Sequence, residues 1–371
     1  MPAPGRTRLL AALLCLLTLA APARADEVTG TWTGLLEGYG NYYLERSTRV
    51  VMPTMRVTLQ SPVGLDVAAN YLVDIISSAS IAQTGSDEDA VFHEYRQQAE
   101  GQLVYRSELP GGQPLTLGAR FGYSFEDDYR SRQYTGNARL SLDERNLDLD
   151  LAANLTDDTV ESNADPNFAE SRRALTLNSA ATRVLNARTT LTLGYTFSWV
   201  QGFQANPYRR ALIGPLPFAE EHPERRLRHA VFGRLGHLIA ETGTGVHLIY
   251  RTYVDSWNIT ALNPELRLVQ TLHPDFLVSL GYRFYIQNSA WFVRAPAYPL
   301  GWEGPVTNDP KLAEHRTHKI GARIDVRLRF FEHTPLGFLG AGSVVVTFDR
   351  YLNTNAFGDG YIATVGGRLP L

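Results

Sequence analysis

The stretch from His318 to Phe331 reads HKIGARIDVRLRFF. Ile320, Ala322, Ile324, Val326, Leu328 and Phe330 are apolar, and Lys319, Arg323, Asp325, Arg327 and Arg329 stand between them. A strand sends successive side chains to opposite faces, so period-two alternation gives one apolar face and one ionic face. A helix would scatter the same arginines all round its surface. The stretch predicts a strand running through Phe331.

The pattern recurs. Phe276, Val278, Leu280, Tyr282, Phe284 and Ile286 alternate with Ser279, Gly281, Arg283 and Gln287. Leu117, Ala119, Phe121 and Tyr123 alternate with Arg120 and Ser124, and Leu147, Leu149 and Leu151 with Asp148 and Asp150. Strands this long, this numerous and this charged on their second face predict a transmembrane antiparallel β-barrel with lipid outside and water inside.

The N-terminus supports export. Arg6 and Arg8 lead into an apolar run, Leu9 to Ala21, and Ala23-Arg24-Ala25 forms an A-x-A cleavage site. The expected division is a signal peptide over residues 1–25 and a barrel over residues 26–371. The lone Cys15 falls inside the signal, so the mature chain has neither disulfides nor thiolate metal sites. No later stretch has the roughly 18 consecutive apolar residues of a membrane helix. A net charge of −3 gives no reason to expect a nucleic-acid partner.

About sixteen strands can be placed, starting near Thr31, Arg49, Gly64, Phe92, Pro114, Arg132, Leu147 and Ser171 in the first half. The second half starts near Ala187, Arg226, Thr244, Ile259, Asp275, His315, Leu336 and Phe357. Turn chemistry at Ser61 to Val63, Arg145-Asn146, Glu241 to Gly243 and His333 to Pro335 marks short connections. Longer polar connections, among them Gly202 to Arg225 and Arg294 to Glu314, alternate with them. Porin-like outer-membrane barrels have this asymmetry, with short periplasmic turns and longer outer loops. Tyr42-Tyr43, Phe125, Trp199, Phe203, Trp257, Trp291-Phe292 and Tyr351 lie at the outer strand ends and are expected in an aromatic girdle, with Phe330-Phe331 in the inner one. Gly366, Leu369 and Leu371 resemble a signal for the barrel-assembly machinery, although Leu371 stands where an aromatic residue is usual.

Four stretches, YLVDIISSAS from Tyr71, YSFEDDYRS from Tyr123, YRTYVDSW from Tyr250 and YRFYIQNSAWF from Tyr282, resemble an uncharacterised bacterial outer-membrane family, the domain of unknown function numbered thirty-five seventy. The resemblance implies an outer-membrane barrel, supplies no catalytic residues, and implies a setting near periplasmic redox proteins.

Candidate site residues lie on the inward face: Arg56, Asp74, Arg120, Glu126, Arg251, Asp255, Arg283, Arg323, Asp325, Arg327 and Arg329. Charges facing a wet lumen set ion selectivity, whereas the same charges paired across strands would close the interior. Arg283, Arg323, Arg327 and Arg329 are expected on one wall with only Asp325 against them, which favours small anionic solutes. The apolar run Ala211 to Ala219 is expected to pack inward across the mouth. Asp87-Glu88-Asp89 reads as a solvated tip or a divalent-ion contact to lipopolysaccharide. His315 and His318 face opposite ways on a strand, His237 and His247 meet only if their hairpin brings them together, and no cofactor or metal is called for. A surface hydrolase would need Asp127, Asp128, Asp157, Asp158 and His222 to converge. A scaffold holding a periplasmic or surface partner is the remaining alternative.

Overall fold

Alternation along each strand leaves backbone N–H and C=O groups to be paired sideways, and closing the sheet on itself pairs all of them. The computed structural model of the protein describes residues 30–46, 48–79, 91–294 and 297–371. The expected signal peptide with Cys15, and the acidic tip Asp87-Glu88-Asp89, lie outside these residues.

Strands β1 (Thr33–Glu45), β2 (Thr48–Gln60), β3 (Leu65–Ala79), β4 (Val91–Glu108), β5 (Pro114–Phe125) and β6 (Tyr129–Leu142) begin the ring. It continues with β7 (Leu147–Glu161), β8 (Ala169–Asn186) and β9 (Thr189–Gly202). Next come β10 (Arg210–Ile213) and β11 (Leu216–Ala219), which pair with each other as a separate hairpin. The ring resumes with β12 (Arg225–Ile239), β13 (Thr244–Asp255), β14 (Thr260–His273) and β15 (Phe276–Gln287), then β16 (His315–Arg327), β17 (Ser343–Asn353) and β18 (Gly360–Pro370). Omitting the β10–β11 hairpin, sixteen antiparallel strands form one closed barrel.

Every barrel strand begins within three residues of its expected start except β17. There the sequence pattern places a start near Leu336, and the strand begins at Ser343. The opening stretch is also shorter than its alternation suggests, because β16 ends at Arg327 and Arg329–Phe331 form a 3-10 turn. Pro335 cannot donate to a ladder, and backbone bonds from Leu328 to Gly342 and from Glu332 to Arg329 fold residues 328–342 into a compact connection instead.

β18 closes on β1, and the seam is tied at the short-turn end by Gly34 N–H to Leu371 O at 3.1 Å and the reciprocal bond at 2.8 Å. Glu37 reinforces it from the lumen side, 3.0 Å from Arg368 of β18 and 3.9 Å from Arg56 of β2. The outer face is apolar. Leu151, Leu193, Val231, Leu280, Ile320 and Phe348 are all at least half exposed. Exposed apolar side chains in successive rows round a closed ring form a lipid-matched surface.

Candidate functional site

The inner face is charged, and much of the charge is paired across strands. Arg56 hydrogen-bonds Gln102 at 2.8 Å as well as facing Glu37. Asp74 is buried against Arg96, which also approaches Glu126 at 3.8 Å. Arg120 faces Glu100 at 3.7 Å. Asp255 accepts from Arg226 at 2.5 Å and Tyr253 at 2.7 Å on one oxygen, and from the Trp257 and Ile259 backbone N–H groups, both at 2.9 Å, on the other. Arg251, on the same face of β13, has no ion pair among the described residues.

The expected arginine wall is more divided than its alternation suggests. Arg283 lies in register with Glu265 and Lys319. Arg323 is clamped on Asp325 at 2.5 Å. Lys319 meets Asp349 of β17 at 3.2 Å, and Arg267 meets Glu265 at 2.6 Å. Arg327 has no ion pair among the described residues. Arg329 does not share the wall: it sits on the 3-10 turn, 2.5 Å from Asp275. Gly281 and Gly321 face each other where side chains would fill the lumen, and a recess of about 650 Å³ lies beside Arg234, Lys319, Arg323 and Arg327.

At the other end the two longest described connections form a lid. Residues 203–224 carry the β10–β11 hairpin, and its Leu212 O accepts from Tyr298 N–H at 2.8 Å while Gly214 N–H donates to Tyr298 O at 2.8 Å. Glu221 and Val306 exchange both backbone bonds, at 3.0 and 2.8 Å. The apolar run is therefore split: Ala211 is buried with Tyr298 and Val306, while Leu216 and Phe218 are exposed. In the same loop Tyr208 hydrogen-bonds Asp128, between β5 and β6, and accepts from Asn163 N–H, between β7 and β8, at 2.9 Å. The β5–β6 and β15–β16 connections stand eight strands apart, half the ring. One loop touches both, so the lid reaches across the mouth.

Inside the lid Glu220 is fully buried. It accepts from Thr307 Oγ1 at 2.9 Å and Asn308 N–H at 2.6 Å and lies 3.4 Å from Arg209, which also faces Asp309 at 3.1 Å. His222 Nε2 is 3.8 Å from Glu220, its ring lies against Trp257 and Phe292, and burial, opposed by the Glu220 charge, holds its pKa below the usual value. Trp257 and Phe292 thus belong to the lid core and not to the girdle. Tyr43 and Tyr351 also leave the girdle and face the lumen, whereas Trp199 faces outward in register with Leu175 and Leu227. Nothing in the spacing of Arg209, Glu220 and Asp309 marks them, because their partners lie up to 100 residues away, as Arg209 and Asp309 do.

Glu94, Glu126 and Asp128 gather at the same end, with one carboxylate oxygen from each within 4.8 Å of the others. Burial first, then the hydrogen bond and charge of Glu94, lift the Glu126 carboxyl to about 8. Glu94 was legible only as an acid two residues before Arg96, on the same face of β4.

The histidines remain separate. His318 faces outward, 2.8 Å from the Tyr282 hydroxyl, while His315 turns to Ala313 O at 3.0 Å. His237 bonds Thr189 at 2.9 Å on the outer face and His247 approaches Arg234 at 3.4 Å on the inner, so they do not meet. The hydrolase set does not converge either: Asp157 pairs with Arg173 on the outer face and Asp158 with Arg172 on the inner.

Three solved structures are similar in outline. A variant of the ferric enterobactin receptor PfeA from Pseudomonas aeruginosa is 13% identical over 89% of this chain and 54% of its own, with a TM-score of 0.47. The siderophore receptor PirA from Pseudomonas aeruginosa is 14% identical over 93% and 62%, with a TM-score of 0.46. The outer membrane protein opdK from Pseudomonas aeruginosa is 10% identical over 92% and 99%, with a TM-score of 0.45. The chain thus spans little more than half the length of the two receptors. No curated protein matches it. Residues 80–329 match a family described as a protein of unknown function, DUF3570, and the stretches from Tyr123, Tyr250 and Tyr282 fall inside that match. The chain belongs to the DUF3570 family.

Proposed function

We propose that the protein is a bacterial outer-membrane channel or transporter for small solutes, with a preference for anions. One observation carries the reading: sixteen strands close into a ring that is apolar outside and ionic inside. Barrels of about this size leave room for an aqueous lumen. In this reading Arg56, Asp74, Arg120, Glu126, Arg251, Asp255, Arg283, Arg323, Asp325 and Arg327 line the path, and Arg329 stands at its inner rim. The lid end faces outward among lipopolysaccharide, the short turns face the periplasm, and the barrel-assembly machinery inserts a chain cleaved after Ala25. The anion preference is supported by Arg251 and Arg327, whose charges are not spent on a carboxylate, and by arginine's permanent charge. The lid favours a mouth that opens on demand over one that stands open.

Purified protein in a planar bilayer tests this through its reversal potential in a salt gradient. The wild type should favour anions, and Arg323→Ser with Arg327→Ser should reduce that preference. Cation selectivity, or no change in the double variant, would make these arginines structural. Absence of conductance even after lid removal would favour a scaffold for a periplasmic, redox-linked partner.

A further inference from the structure

Arg228 carries a charge that the protein does not balance. It lies on the inner face of β12, in register with Asp255, and its Nε is buried without a hydrogen-bond partner. The charges that act on it are those of Arg226, Asp255 and Arg172, together with the Tyr253 hydroxyl. Two of these are cations. Asp255 cannot serve it, since its oxygens are taken by Arg226, Tyr253 and two backbone N–H groups. Arg172 is itself engaged by Asp158 at 2.8 Å and the Tyr129 hydroxyl at 2.8 Å.

An arginine cannot escape by losing its proton, and a part-buried guanidinium whose Nε has no partner and whose neighbouring carboxylate is taken gains from an anion that reaches it. Arg251 on the neighbouring strand faces the same way and has no ion pair among the described residues. Arg251 stands opposite Phe232, four residues along from the Arg228–Asp255 pair on the same wall. The Arg228 end of that wall is roofed by the lid: Tyr253 packs on the Trp257 and Phe292 cluster, and the Arg226 guanidinium lies 4.0 Å from the centre of the Trp257 ring.

We propose that the wall beneath the lid is a binding site for an oxyanion, the carboxylate or phosphate group of a small solute, held by Arg228, with Arg251 farther along the same wall. Arg226 is the positioning residue: fixed by Asp255 and stacked on Trp257, it adds positive potential without offering its own fork. A guanidinium presents donors in a plane that matches two oxygens of a carboxylate or phosphate, which is why Arg228 suits an oxyanion better than chloride. The inference rests on the wet lumen proposed above, and it turns a general anion preference into a defined stop on the path.

The test uses purified full-length barrel in detergent, with inorganic phosphate and succinate as probes at constant ionic strength. Calorimetric titration of the wild type should give saturable binding of at least one probe, and that probe should raise the unfolding temperature. Arg228→Gln should bind it roughly tenfold to a hundredfold more weakly, the range for a lost charge-assisted bond. Without anion the variant should unfold no earlier than the wild type, because it no longer buries an uncompensated charge. Earlier unfolding with unchanged affinity would make Arg228 a structural residue and overturn the proposal, as would absence of saturable binding by the wild type. Conductance of the same sample separates the two readings. A conducting barrel that ignores both probes has lost only this site, and a non-conducting barrel that binds one has lost only the channel.

Discussion

Glu126 shows what a single side chain inherits from its neighbours. Its folded pKa of about 8 lies well above the ordinary 4.5, because burial and Glu94 both disfavour the charged form. The protonated carboxyl is therefore the form the folded rim prefers. The stability it contributes is complete below the unfolded value and is lost as pH rises through the folded one. The unfolding temperature of the wild type should fall across that window, and Glu126→Gln, which cannot ionise, should remove that part of the slope. A wild type with no slope, or a variant that keeps it, would show that Glu94 and Glu126 do not interact as described. His222 has the opposite sign: a lowered pKa means that its contribution is present above 6.5 and is lost as pH falls through the folded value.

Among the elements, the lid should come loose before any strand does. Its Glu220 is surrounded by three donor groups, and removing one member of a buried charged set costs about 3 kcal/mol or more. Glu220→Ala should accelerate hydrogen exchange at Glu221, Tyr298 and Val306 by roughly a hundredfold, with β12 and β15 unchanged. Equal acceleration in lid and strands would mean that the lid is no separate unit. That a loop crosses the mouth is legible in the apolar run Ala211 to Ala219, but the contacts that hold it there are not. Strands announce themselves because a two-faced environment forces period two, and that signal placed nearly every one. The lid has no such period, since Ala211 packs on Tyr298 through chain segments that meet only in space. Trp257 and Phe292 misled for a related reason: an aromatic residue at a strand end has the same composition whether it meets lipid or a loop. Arg329 misled because alternation continues past the point where the chain leaves the sheet.

At the scale of the molecule, the two ends differ in what they expose. Residues 162–168, 288–294 and 297–314 lie at the lid end, and the Gly112 turn lies at the other. On intact cells, a cysteine at Ala164 or Pro305 should react with a membrane-impermeant label, while one at Gly112 should not. The reverse pattern would invert the orientation, and labelling at all three would argue against insertion of the barrel.

The seam between β1 and β18 has a consequence for how the chain order itself is understood. Antiparallel pairing there follows the same rule as between every other neighbouring pair, and Gly34 and Leu371 are held together by reciprocal backbone bonds. The ring is thus topologically without a beginning. Where synthesis starts is a matter of genetic order, and a permuted gene that joined these two ends and opened the Gly111-Gly112 turn would encode the same circle of neighbours.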